Sequence, residues 1–244
     1  MTNKEAKEMC KKIATMESEL AAMKKAFSKK MVNRSPQKLP CNIEEFCKHI
    51  EDDGLPEDLI AGDYIDFELL TGEPVRAYVC GVCHDKAIDD TMTDYTFAIT
   101  RLDGDFEMNT KCDNSTSWEN SKGRIYAERI FNILPECLQD VIIRAKKLTS
   151  AGNKSKNIIE TNDALFLFSE VEVFGKTNYS VTGEGEQYEF FKSAENIKKV
   201  FTKYAWLRSP CYGNSDYFCS VSYNGNADYG NANCTGGLVF GFCV

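Results

Sequence analysis

Between Cys211 and Cys234 the chain reads CYGNSDYFCSVSYNGNADYGNANC, 24 residues without a single Lys, Arg, Glu, Gln, Leu, Ile or Met. So little aliphatic volume, beside so many groups that need hydrogen bonds, makes a poor buried core. Disorder is not the expectation either. Disordered tracts are poor in aromatics, and this one holds four tyrosines, Phe218 and Val221 between the apolar flanks WLRSP and LVFGFCV. Tyr mixed with Ser, Gly and Asn is the composition of binding loops, in which Tyr gives rigid amphipathic contact area and the small polar residues adapt their hydrogen bonds. The segment is therefore expected to be an exposed recognition surface. Within it, Asn224-Gly225 predicts a two-residue type I′ hairpin with φ > 0 at both positions. That register pairs Ser222 with Ala227 and Ser220 with Tyr229 on one face, and Val221 with Asp228 on the other. Neither face is consistently apolar, so the hairpin is expected to be held by its ends.

The remainder must supply a scaffold. An apolar fraction of 43% in 244 residues is ample for one good-sized domain with an appendage. A net charge of −8 argues against nucleic acid or an anionic membrane as partner, since both are bound mainly through Lys and Arg. The N-terminal MTNKEAKEMCKK has no apolar stretch behind its charges, so no signal peptide is expected. No apolar run of about 18 residues suggests membrane insertion. The 11 cysteines are then read as reduced, mostly buried small residues, and the Asn-x-Ser/Thr triplets at Asn114, Asn178 and Asn233 as chance matches.

In residues 1–32, Ala6, Ile13, Leu20 and Phe27 fall at heptad position a, and Met9, Met16 and Met23 at d. A parallel pairing sets Lys12 against Glu17 and Glu19 against Lys24, both attractive. This predicts a coiled-coil helix forming a homo-oligomer, dimer or trimer. Residues 33–60 read as a connector with one short helix, capped by Asn42 and stopped by Gly54. Residues 61–244 form the body. Strands are predicted at Tyr64 to Leu70, Val75 to Val82 and Tyr95 to Arg101, and helix from Trp118 to Leu148, with Ser121 as a cap and a second run after Pro135. DALFLFSEVEVFG, an apolar run followed by alternation, predicts a buried strand.

Reactive motifs are weak. Cys80-Gly-Val-Cys83-His84 has the form of a covalent haem attachment sequence or half a zinc site, but it ends a β-rich run and has no second half. It reads as structural. His49 and His84 are the only histidines, and neither lies in a nucleophile motif. His84-Asp85 is expected to fix a turn. No catalytic residue, metal or cofactor is assigned.

One ordered set of motifs remains: Met108-Asn109, then Trp118-x-x-Ser121-x-x-Arg124, LFLFSEVEVFG, GEGEQYEFF, WLRSP with Trp206 and Arg208, and a terminal GFCV. The set resembles a family of uncharacterised domains of phages, prophages and gut Firmicutes, over about residues 61–244. The ending is similar to that of C-type-lectin-like folds, including the variable proteins of diversity-generating retroelements, although Leu238-Val239-Phe240-Gly241 stands where many relatives have a G-V-R-P-A-like sequence. The resemblance implies an α+β, C-type-lectin-like domain on a coiled-coil mount. Its implied function is receptor binding or adhesion in a phage or prophage particle, made in the bacterial cytoplasm, against a bacterial cell-surface protein or glycan. The ligand-contacting residues it implies are Tyr212, Asn214, Asp216, Tyr217, Ser220, Ser222, Tyr223, Asn226, Asp228, Tyr229, Asn231 and Asn233. A virion assembly protein without a ligand, and a hydrolase of cell-wall glycans, are the alternative readings. Asp216 and Asp228 are the only acids after Glu195, too few to imply a calcium site.

Overall fold

The computed structural model describes residues 34–54, 56 and 58–244. The heptads of residues 1–32 lie outside the described residues. From Pro36 onward the chain forms one compact unit of mixed α+β class, mostly sheet with a few short helices.

The first sheet has the order β1-β2-β3-β12-β7, from Tyr64–Glu68, Pro74–Val82, Tyr95–Ile99, Phe240–Cys243 and Phe166–Leu167, with all neighbours antiparallel. The C-terminal strand β12 thus sits inside the sheet, and Val244 exchanges backbone hydrogen bonds with Tyr95. Phe242 stacks on Phe97 with ring centroids 5.1 Å apart. Helix α1 (Ile43–Asp53) closes this side. Asn42 Oδ1 accepts from the Glu45 amide and Glu45 returns a bond to the Asn42 amide, satisfying two donors that a helix start leaves orphaned. Phe46 meets Phe97 edge to face. Leu39, Ile43, Phe46 and Cys47 are all buried in the common core, so the segment read as a connector is part of the body.

The second sheet has the order β10-β9-β8-β11-β4, built from Ala227–Asn231, Tyr217–Val221, Ala205–Pro210, Gly236–Leu238 and Leu102–Phe106. Only β8 and β11 run parallel. Helix α2 (Lys122–Phe131) is capped by Ser121 as expected, and α3 spans Glu136–Val141. The predicted helix does not continue to Leu148. Ala145–Ser150 is β5, paired antiparallel with β6 (Ile158–Asp163); its burial alternates from Ala145 to Leu148 before both Thr149 and Ser150 are buried, a strand's period rather than a helix's. The alternating EVEVF is likewise not a strand. After the two-residue β7, Ser169 caps helix α4 (Glu170–Phe174) with Glu172 at its third position, a capping box that outweighs the alternation. Helix α5 (Ala194–Val200) follows a 3₁₀ turn at Phe190–Lys192.

The largest departure lies in the polar segment. Strand β9 lies inside its sheet between β10 and β8, and Phe218, Cys219, Ser220 and Val221 are all buried. The segment therefore does contribute to the core, through one Phe, one Val and side chains small enough to fit between sheet and neighbours. The hairpin register also differs. Val221 pairs with Ala227, Ser220 with Asp228 and Cys219 with Tyr229, one residue away from the type I′ register. Gly225 adopts φ +76° while Asn224 is not in the left-handed region. The Gly225 amide donates to the Ser222 carbonyl and the Ser222 amide to the Asn226 carbonyl, the pattern of a type I turn closed by a glycine bulge. A one-residue slip moves every β10 side chain to the opposite face.

Candidate ligand-binding surface

The slip in register assembles an aromatic face. Tyr217 and Tyr229, diagonal across β9 and β10, stack with centroids 5.2 Å apart and planes 19° apart. Tyr179, from the loop after α4, meets Tyr229 at 4.7 Å nearly edge-on. The Tyr212 amide donates to the Tyr179 carbonyl, which brings Tyr212 beside the same loop, and Lys156 Nζ lies 5.3 Å from the Tyr212 ring centroid. Exposures of 36% for Tyr179, 40% for Tyr212 and 43% for Tyr229 leave much of each ring open to a partner. Paired aromatic rings are worth about 0.5–1.5 kcal/mol beyond area burial, so the three rings of Tyr179, Tyr217 and Tyr229 brace one another.

The twelve residues implied by resemblance do not form one patch. Tyr212, Asn214, Asp216, Tyr217, Tyr229 and Asn231 gather at the Tyr217–Asn231 end of the hairpin, where Asn214 Oδ1 accepts from the Asp216 amide and the Ala232 amide donates to the Asp216 carbonyl. Asn233 is exposed in the loop that follows. Ser222, Tyr223 and Asn226 belong to the turn at the far end, on the order of 14 Å away along a five-residue strand, and Tyr223 is 75% exposed. Asp228, half-buried, faces Ser220 across the ladder. Ser220 is buried and lies beneath the surface rather than on it. Tyr179 was not anticipated; its Asn-Tyr-Ser context, matching the tail's composition, was the available signal.

Buried polar groups hold this surface from beneath. Glu170 accepts from the amides of Asn178, Tyr179 and Ser180 and from the Ser180 hydroxyl at 2.7–3.1 Å, clamping the loop that carries Tyr179. The Glu170 amide in turn donates to Ser209 Oγ on β8 at 2.9 Å. Behind Glu170 lies a network of Arg208, Glu172, Lys147, Asp85, Glu184 and Tyr188, all buried. Lys147 Nζ contacts Asp85 at 2.7 Å, Glu172 at 2.7 Å and the Tyr188 hydroxyl at 2.9 Å. Burial alone would raise the Asp85 and Glu172 carboxyls. Lys147 and His84 outweigh it at Asp85, and Arg208 and Lys147 at Glu172, so both stay below the usual range. Glu184 is the exception: burial pushes it up to about 7, against the opposing pull of Ser209, Ser150 and Arg208.

The other motif residues serve packing. Trp118 Nε1 and Arg124 Nε both donate to Asp163, at 2.9 and 2.7 Å, and Trp206 Nε1 donates to the Phe106 carbonyl. In the Cys80-Gly-Val-Cys83-His84 run, Cys80 is buried with its thiol on the Thr96 carbonyl, Cys83 is exposed, and His84 stacks on Tyr188 at 3.9 Å. Asp85 does more than fix a turn, since it also takes hydrogen bonds from the Thr96 and Tyr188 hydroxyls. Among the described residues no helix is long and apolar enough to cross a membrane, and no group of three or more His, Cys, Asp or Glu side chains is arranged to hold a metal ion.

Residues 92–239 match DUF6273, a domain family of unknown function; the match covers more than half of the chain, which belongs to that family. Neither the curated proteins nor the solved structures contain a significant match.

Proposed function

We propose that this DUF6273 protein is a binding protein rather than an enzyme, and that the face of Tyr179, Tyr212, Tyr217 and Tyr229 receives a bacterial cell-surface protein or glycan. The observation that carries the reading is the cluster itself. Three stacked and edge-on tyrosines, partly exposed, stand on paired strands β9 and β10 and on a loop whose backbone is clamped by buried Glu170. Rigid aromatics ringed by Asn, Asp and Ser are what a recognition surface requires, because little entropy is lost when a ligand settles on them. A C-type-lectin-like architecture accords with a C-terminal strand inside one sheet and a long polar excursion from β8 to β11 in the other. The sequence resemblance extends the proposal to a receptor-binding or adhesion component of a phage or prophage particle, with residues 1–32 as a coiled-coil mount that gives several weak sites useful avidity.

The test is whole-cell and glycan binding by the full chain and by a Tyr212→Ala/Tyr229→Ala variant. Loss of at least tenfold in binding, with a melting temperature within a few degrees of the parent, is the expected result. Binding that is unchanged in the variant, or absent in the parent across a broad cell and glycan panel, removes the proposal. Sedimentation of the full chain as a monomer removes the avidity component alone. The alternative of a particle subunit without a ligand is favoured by one feature, the edge position of β10 beside the same tyrosines. It predicts self-association that the double variant abolishes.

A further inference from the structure

The loop bearing Tyr212, Asn214 and Asp216 has few bonds within itself. One side chain from more than ninety residues earlier fills it. Asn114 is completely buried, and its Nδ2 lies 3.2 Å from the Cys211 carbonyl, 3.0 Å from that of Asn214 and 2.8 Å from that of Tyr217. Two hydrogens are therefore shared among three carbonyls, with one bond bifurcated. On the other side of the amide, Oδ1 accepts from the Asn153 amide at 2.8 Å. Three acceptors on one side and a donor on the other leave a single orientation of the amide consistent with the surroundings. The backbone joins in, the Asn114 amide donating to the Ser215 carbonyl at 2.6 Å. The neighbouring loop is shaped to let this happen. Gly152 has φ +74°, and a Cβ there would sit 2.0 Å from the Asn114 carbonyl oxygen.

We propose that Asn114 is the positioning residue of the ligand surface, acting through its amide hydrogens to hold the 211–217 loop, and with it Tyr212 and Tyr217, in binding geometry. The proposal rests on the tyrosine face being the binding site, but it makes a claim about loop order that stands apart from any ligand. Asn114→Asp is the informative change. It preserves volume and the acceptor to Asn153 while facing three carbonyl oxygens with a carboxylate oxygen instead of a donor. A residue that merely fills space would tolerate it.

Asn109 supplies the control. It too is buried, and its Nδ2 donates to the Asp113 carbonyl and to Thr116 Oγ1, outside the 211–217 loop. Hydrogen exchange should be measured on the full chain at a temperature where every variant is folded. The amides to follow are Cys211, Tyr212 and Ala232, which donate to Tyr217, Tyr179 and Asp216. In Asn114→Asp and Asn114→Ala these should exchange at least tenfold faster, while the β2 and β3 amides keep their protection; Asn109→Ala should leave the three slow. Asn114→Ser, which retains one donor, should fall between. Equal exchange in Asn114→Asp and the parent, or an equal change in Asn109→Ala, overturns the proposal. So does failure of all three Asn114 variants to fold, because the role would then be global. Whole-cell binding by the same proteins should fall at least tenfold in Asn114→Asp and stay unchanged in Asn109→Ala. A parent that binds nothing sinks the ligand reading, and the exchange result still decides whether Asn114 sets the loop.

Discussion

Arg208 and Glu172 face one another fork to fork in the core, Nη2 donating to Oε1 at 2.8 Å and Nη1 to Oε2. The remaining guanidinium hydrogens go to Thr149 Oγ1 and to the carbonyls of Leu167, Leu148 and Glu184. Only a planar five-donor group can serve such a set, so Arg208→Lys is not conservative here. It leaves Glu172 buried with one partner side short and several carbonyls unpaired. The expected loss is about 3–5 kcal/mol of unfolding free energy, measured by urea denaturation. Glu172→Gln should cost a comparable amount, and the double variant clearly less than both together, because the two residues share one interaction.

Glu184 makes stability fall as pH rises through neutrality. Its carboxyl is raised from 4.5 to about 7 in the folded protein, so between those values the folded state binds more protons than the unfolded chain. Its contribution is fully present below about pH 4.5 and is lost as pH rises through about 7. At about 1.4 kcal/mol per pH unit the loss is of order 3 kcal/mol. Asp85 and Glu172 are lowered and act in the opposite sense, losing their contribution as pH falls below the ordinary carboxylate range. Urea unfolding from pH 2 to 8 should therefore show a maximum at about pH 4.5. Glu184→Gln, neutral throughout, should flatten the decline from pH 5 to 8 and keep the acid limb.

Elements set by local chemistry were legible in the sequence. Asn42 and Gly54 bound a helix as read, and the strands beginning near Tyr64, Pro74 and Tyr95 stand within a few residues of expectation. The Ser169-x-x-Glu172 capping box was also present in the sequence, but the alternation of EVEVF pointed the other way, and over five residues the cap decided. Lys146 to Leu148 carried no local signal against helix; pairing with β6 made them a strand. The site was half visible. Composition singled out the 211–234 segment that supplies three of the four tyrosines, yet Asn114 and Tyr217 are 103 residues apart, and no pattern along the chain announces a contact of that range. Tyr179 carried one local signal, its Asn178-Tyr179-Ser180 context, but its place beside Tyr229 is set by a contact 50 residues away.

Asp163 ties the tryptophan motif to the sheet. Its carboxylate accepts from Trp118 Nε1, Arg124 Nε and Thr161 Oγ1 at 2.6–2.9 Å and is nearly inaccessible. Asp163→Asn places an amide donor among three donors, so at least one must lose its partner. The expected cost is about 2–4 kcal/mol. Trp118 and Thr161 share Oδ2 while Arg124 holds Oδ1, so the asparagine keeps its oxygen toward Trp118 and turns its amide onto Arg124 Nε, the donor that loses its partner. Urea denaturation reads the cost, and the fluorescence of Trp118 in a Trp206→Phe background should stay unshifted.

The hairpin turn separates the two registers by a pair of substitutions. A type I′ turn needs φ > 0 at both Asn224 and Gly225, so alanine at either position would cost about 1–2 kcal/mol. In the observed turn only Gly225 is left-handed, at φ +76°, and a Cβ there would also meet Lys198 Cγ at 2.9 Å. Lys198 is a flexible chain on α5 and can move aside, so the backbone is the main cost. Gly225→Ala is therefore expected to lower stability by about 1–2 kcal/mol and Asn224→Ala by less than about 0.5 kcal/mol, read from urea denaturation. The register has a second consequence, because the stack of Tyr217 on Tyr229 exists only in it. Near-ultraviolet circular dichroism from tyrosine coupling should persist in Asn224→Ala and vanish in Tyr229→Ala. Equal destabilisation by the two turn variants would return the hairpin to the type I′ register and take the tyrosine face apart.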